Sequence, residues 1–190
     1  MARLRKTNST LEALFFSTAE QKVVRLLLSE PTTAFTPRVL SSKLKGVRGL
    51  GGAEGISRIL NELQSLGILD FVDNHRAIRV REECSIVETL KIFAALCELE
   101  DLKKLLQPVS NKGVLYGSSA LGKIGSGDKY ELFVVSETPE EVKKISSRHP
   151  LARKIHATVW TPEAYSEIES QDATFARKLA RGIVVWGSTW

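Results

Sequence analysis

Residues 113–135, G-V-L-Y-G-S-S-A-L-G-K-I-G-S-G-D-K-Y-E-L-F-V-V, constrain the fold of this chain more than any other stretch. Glycines at 113, 117, 122, 125 and 127 leave no room for a long helix across it. Residues 114–116 and 130–135 are apolar runs of strand length. The expectation is strand, Gly117-Ser118 turn, Gly-rich stretch, strand. A turn built on glycine and serine lets backbone N–H groups and a hydroxyl approach a phosphate. Acids on the following strand are the oxygen ligands a divalent metal takes. The layout suits a nucleotide, but acids are few.

Upstream the pattern turns helical. In residues 18–29, Val23, Val24, Leu26, Leu27 and Leu28 make a largely buried helix, and Pro31 helps to stop it. Thr36-Pro37 supplies an N-cap and a proline at the first helical position, with Val39, Leu40 and Leu44 as the apolar face. Lys45-Gly-Val-Arg-Gly-Leu-Gly-Gly52 is too Gly-rich for a helix interior. A third helix is expected over about 53–66, with Ile56, Ile59, Leu60, Leu63 and Leu66 on one side and Gly67 as its stop. Residues 68–72 and 77–80 read as strands around the turn Asp73-Asn74-His75-Arg76.

Three helices followed by a hairpin is the order of a winged helix-turn-helix, whose third helix enters the major groove of DNA while the hairpin lies on the backbone. Opposite the apolar face of the third helix lie Glu54, Ser57, Arg58, Asn61 and Glu62, of which Ser57, Arg58 and Asn61 can donate to bases or phosphates. Arg38, Lys43, Lys45 and Arg48 surround the approach, and His75, Arg76 and Arg79 decorate the hairpin. Charge agrees: residues 1–82 hold 13 Lys+Arg against 8 Asp+Glu, and residues 83–190 hold 14 of each. The whole excess of +5 therefore sits in the first part, as expected of a polyanion-binding module. Glu54 and Glu62 oppose that reading, as does a loop longer than the usual turn between helices two and three.

Ile86, Leu90, Phe93, Ala94, Leu96, Cys97, Leu99, Leu102, Leu105 and Leu106 recur at helical spacing between about 85 and 107, wrapping more than one face, until Pro108. This connecting helix is expected to pack on both domains or on a second copy. From 109 onward strands and helices alternate: strand 113–116, a helix after Gly117, strand 130–135, helix 139–147, strand 155–161, a helix from Thr161-Pro162-Glu163, another over 174–181, and strand 183–186. The expected class is α+β: a winged helix-turn-helix (11–82), a connecting helix (83–108) and a small α/β domain with a mixed sheet (109–190).

Taken together, these residues resemble the archaeal-type proteins in which a winged helix precedes a minimal nucleotidyltransferase domain. The pattern of that family is strand, G-S-x-A-R-G, about five residues, S-D-x-D-L, an apolar strand, and a third acid on a later strand. Gly117, Ser118, Ala120 and Gly122 occupy the glycine-serine motif, and Glu131-Leu132 stands at the D-L pair. The similarity reaches back to Leu11-Glu-Ala-Leu-Phe-Phe16 and forward to Thr161-Pro-Glu163 and Val185-Trp-Gly187. It implies a nucleotide held by Gly117, Ser118, Lys129 and Glu131, with Mg²⁺ if the site were active. The departures fall on the chemistry. Lys129 stands at the first metal-binding Asp, with Asp128 one residue earlier; Glu131 replaces the second Asp; Leu121 replaces the Arg. No acid occurs from 151 to 162, where His156 falls near the third position. If Asp128 and Glu131 both lay on a strand, their side chains would point to opposite faces. Transfer chemistry depends on metal charge facing the developing negative charge, so lost catalysis is expected, with no resident cofactor or metal.

Other chemistries fit less well. His75, His149 and His156 are dispersed with no Cys or acid at ligand spacing, and Ser118 lacks both a nearby His and the G-x-S-x-G form. Cys84 and Cys97 lie 13 apart in one helix and read as unpaired thiols. Neither a membrane span nor a signal core is evident, so a cytoplasmic protein is expected. The expected function is a DNA-binding transcriptional regulator acting as a homodimer on double-stranded DNA. An active Mg²⁺-dependent nucleotidyltransferase of protein or RNA, and an antitoxin-like repressor that binds a partner protein, stand as alternatives.

Overall fold

A computed structural model describes residues 10–125 and 127–188. The chain is mixed α+β, with one two-stranded and one four-stranded sheet among the described residues. It divides into two compact units between Glu98 and Leu99.

In the first unit, α1 (Thr10–Phe15) precedes α2 (Ala19–Ser29). Thr18 starts α2 through a reciprocal cap: its hydroxyl accepts from Gln21 N at 3.3 Å, and Gln21 Oε1 accepts from Thr18 N at 3.0 Å. The α3 helix (Pro37–Lys43) begins as its Thr-Pro pair predicts, with the Thr36 hydroxyl accepting from Val39 N at 3.3 Å. After the Gly-rich loop come α4 (Gly52–Ser65) and a hairpin of β1 (Leu69–Val72) and β2 (Ala77–Val80), in the register Leu69↔Val80 to Val72↔Ala77. Val23, Leu27, Phe35, Leu40, Ile56, Leu60, Leu69 and Ile78 belong to one buried apolar cluster that ties these elements together. Phe35 adds a feature the sequence does not announce. Its N–H and carbonyl exchange two 2.8 Å hydrogen bonds with Ile78, so one residue before α3 pairs like a third strand with the hairpin.

Arg25 of α2 donates to Glu12 of α1 at 2.8 Å and to Glu98 at 2.9 Å, and its guanidinium lies 5.8 Å from the Phe16 ring centre. All three charged groups are mostly withdrawn from water, where such a pair interacts far more strongly than at the surface. Glu98 lies in α5 (Ser85–Leu106), the long apolar helix expected from the sequence, and the division between the units falls within it.

The second unit holds β3 (Lys112–Leu115), the short α6 (Gly117–Ala120), β4 (Tyr130–Val135), α7 (Pro139–Arg148), β5 (Ile155–Trp160), α8 (Pro162–Ser166), α9 (Ile168–Gln171), α10 (Ala173–Ala180) and β6 (Ile183–Trp186). The sheet order is β5-β4-β3-β6; β4 and β5 are parallel and the other pairs antiparallel. Val114, Phe133 and Val135 on one face pack with Ile168, Phe175 and Leu179 from α9 and α10. The alternating residues Leu115, Leu132 and Val134 are equally buried on the other face. The α7 helix carries the chain from β4 to its parallel neighbour β5 and buries Val142 completely.

Four expectations need correction. The helix after Gly117 is a single turn of four residues, because Gly122 at positive φ (68°) follows at once. Tyr116 leaves the strand and precedes α6 in extended conformation. The helix starting at Thr161-Pro162 is two short helices broken at Glu167. Finally, β4 starts at Tyr130, so Asp128 and Lys129 lie in the preceding turn, and the alternation argument applied to Asp128 does not hold.

Candidate functional site

The candidate nucleic-acid residues lie on α3, on α4, on the loop between them and on the hairpin. Apolar residues of α4 at 56, 59 and 60 are buried, which turns Glu54, Arg58, Asn61 and Glu62 outward to solvent. Ser57 is half-buried, and its hydroxyl donates to the Ala53 carbonyl at 2.9 Å, so its proton is spent inside the helix. Arg58 and Asn61 project without such a tie. Arg58 also has an acidic neighbour: the exposed Glu20 carboxyl is held below its usual value by its own backbone N–H, then by the Thr18 hydroxyl, then by the Arg58 charge.

The loop that enters α4 has Gly46, Gly49 and Gly51 at φ 92°, 87° and 65°, a conformation L side chains rarely adopt. Lys45 just before them and Arg48 among them are exposed, as is Arg38 in the first turn of α3. Lys43 is different. Its amine is 2.6 Å from Glu30 Oε1 and 5.4 Å from the Phe35 ring centre, so it is already neutralised within the unit.

At the hairpin tip Asp73, Asn74 and His75 all take positive φ (51°, 54°, 66°), closed by Arg76 N donating to the Asp73 carbonyl at 3.1 Å. His75 is exposed with its ring 5.1 Å from Phe71, and Arg76 and Arg79 are exposed. Arg81 is instead paired with Asp70; the hydrogen bond from Arg81 holds the Asp70 carboxyl below its usual range.

The second candidate site is the glycine-serine turn. Glu131 is bound to it at three points. Its carbonyl accepts from Tyr116 N at 3.0 Å, its N–H donates to the Ser119 hydroxyl at 2.9 Å, and its Oε2 accepts from Ser118 N at 3.0 Å. Gly117 has φ 61°, and a Cβ placed on it would lie 1.9 Å from Glu131 Oε2. The carboxylate therefore lies against the glycine and takes the backbone donor that a ligand oxygen would need. Ser119, which sequence reasoning passed over, is almost wholly buried and orders this contact; the doubled serine after Gly117 was its only trace.

His156 is the register partner of Glu131 on β5 and is exposed, so the two share a face of the sheet. Asp128 accepts from Gly125 N at 2.7 Å and so engages a different piece of backbone from Glu131. Lys129 is exposed beside them. Among the described residues no group of three or more His, Cys, Asp or Glu side chains is placed to hold a metal ion. Nor is any helix among them long and apolar enough to cross a membrane.

No family model, curated protein or solved structure matches the chain.

Proposed function

We propose that the chain is a DNA-binding transcriptional regulator: a winged helix-turn-helix joined through α5 to a nucleotidyltransferase-like domain that no longer catalyses transfer. The observation that carries the DNA reading is the first unit's outward face. There α4 presents Arg58 and Asn61, the preceding loop presents Lys45 and Arg48, and the hairpin presents Arg76, all exposed, on a unit in which α2, α3 and α4 are followed by the hairpin. Arginine and asparagine side chains on such a helix match base edges in the major groove, while lysine and arginine on the flanking loops match phosphates. The Phe35–Ile78 pairing supports the same reading, because it fixes the hairpin against the helical layer.

For the second unit, the order strand, glycine-serine turn, strand supports nucleotidyltransferase ancestry. Glu131 folded onto that turn supports loss of turnover, since a carboxylate oxygen already bound to the Ser118 N–H is poorly placed to hold a cation. Double-stranded DNA is the partner, engaged as a homodimer on two half-sites.

A mobility-shift titration of the full chain against duplex DNA tests this. Binding at micromolar concentration or below, weakening steeply as salt rises, is expected. Absence of duplex binding at low salt rejects it.

A further inference from the structure

The glycine-serine turn lies at the start of β4, but the second unit also has a concavity at the opposite end of its parallel strand pair. There the chain leaves β4 for α7 and leaves β5 for α8, and the two connections separate. The α9 and α10 helices pack on the sheet face that holds Phe133 and Val135, whereas α7 is the crossover between β4 and β5. In α/β sheets, divergence of the connections beyond the carboxyl ends of neighbouring parallel strands opens a crevice where small molecules bind. A cavity of about 240 Å³ is found there, lined by Pro139, Val159, Trp160, Thr161, Ala164 and Gln171.

We propose that this crevice binds a neutral, planar aromatic amide. Size sets the first limit: the volume is below the roughly 300–1,000 Å³ of pockets that enclose drug-sized ligands, and suits one small ring system. The walls set the second. Pro139, Val159 and Ala164 are apolar, and Trp160 offers an aromatic surface to a flat ring. That indole is already held, with its ring centre 5.7 Å from Phe133 and 5.6 Å from Phe175, so little side-chain freedom is left to lose on binding. Polar chemistry sets the third. Gln171 Nε2 donates to Glu167 Oε2 at 2.6 Å, which orients the amide and leaves its carbonyl oxygen and one N–H for a ligand. The Thr161 hydroxyl accepts from Ala164 N at 3.3 Å and keeps its proton to donate. No lining residue named here is cationic, and the Glu167 carboxylate beside Gln171 disfavours an anion.

Nicotinamide is the probe, with benzoate as an anionic ring of similar size, and the full chain is titrated by ligand-observed NMR and calorimetry. Saturable nicotinamide binding at millimolar concentration or tighter is expected, with benzoate about tenfold weaker or more. Ala164→Phe should abolish binding by filling the crevice, and Gln171→Ala should weaken it about tenfold by removing the amide contact. Gln171 is exposed, so that variant carries the test even if Ala164→Phe does not fold. Failure of nicotinamide to saturate, benzoate binding as tight as nicotinamide, or Gln171→Ala binding as tightly as the unaltered chain overturns the proposal. DNA affinity is measured on the same samples and is independent of all these outcomes.

Discussion

The Glu131 carboxylate lies against Gly117, so that a Cβ on residue 117 would meet Glu131 Oε2 at 1.9 Å and displace the carboxylate from the turn. Gly117→Ala therefore combines displacement of that carboxylate with a φ of 61°, and a loss of about 1–3 kcal/mol is expected. Glu131→Ala removes a carboxylate that accepts from Ser118 N, a loss of about 1–2 kcal/mol. The double variant should cost less than the two losses added, because truncating Glu131 removes the clash. Urea unfolding of the four proteins measures this coupling; strict additivity would mean the contact is absent.

Nucleic-acid binding should separate the candidate residues by what they already touch. Arg58→Ala or Asn61→Ala should cost about 1–3 kcal/mol and relax preference at particular base positions. Arg48→Ala should weaken all sequences alike and reduce the salt slope by about one. Lys43→Ala should leave DNA affinity nearly unchanged, because that amine is paired with Glu30 at 2.6 Å. Salt-dependent titrations against one selected and one scrambled duplex distinguish these patterns; a Lys43→Ala defect equal to that of Arg48→Ala would be the wrong ordering.

Stability of the first unit should depend sharply on Arg25. Arg25→Met keeps most of the volume but leaves the half-buried Glu12 and Glu98 carboxylates without that cation, a loss of about 3 kcal/mol. Arg25→Lys should recover only part of this, because an ammonium does not reproduce the two-sided guanidinium contact. Chemical unfolding followed by circular dichroism provides the values.

How much of this was legible in the sequence follows from the range of the forces involved. The caps at Thr36 and Thr161, the apolar stripe of α4, the long α5 and the strand β6 all depend on neighbours within a few residues, and pattern alone located them. The Phe35–Ile78 pairing joins residues 43 positions apart and has no local signature. The bounds of β4 were read correctly at 130–135, but the Asp128 contact to Gly125 N that shapes the turn before it was not. At the glycine-serine turn the residue types were readable. That Glu131 bends back onto Ser118 was not, since nothing in its identity distinguishes a carboxylate awaiting a metal from one already bound to backbone.

Acid should weaken the second unit through His149. Burial pushes this imidazole below its usual value of about 6.5, against an opposing pull from Asp101, and its Nδ1 accepts from Leu151 N at 3.2 Å only while unprotonated. The unfolded chain therefore binds a proton more readily than the folded one. The stabilisation is complete above about pH 6.5 and is lost as pH falls from there through the lower folded-state value. Urea midpoints taken across that window should decline, and the decline should be shallower in His149→Gln.

Phe35 and Ile78 exchange a pair of backbone hydrogen bonds one residue before the Thr36 cap of α3. The hairpin is thus anchored beside the first turn of the helix that precedes the α4 loop. The hairpin and the start of α3 are joined through backbone as well as through side chains. Because Phe35 and Ile78 are also buried in the apolar cluster, this joint is backbone-paired and core-packed at the same residues.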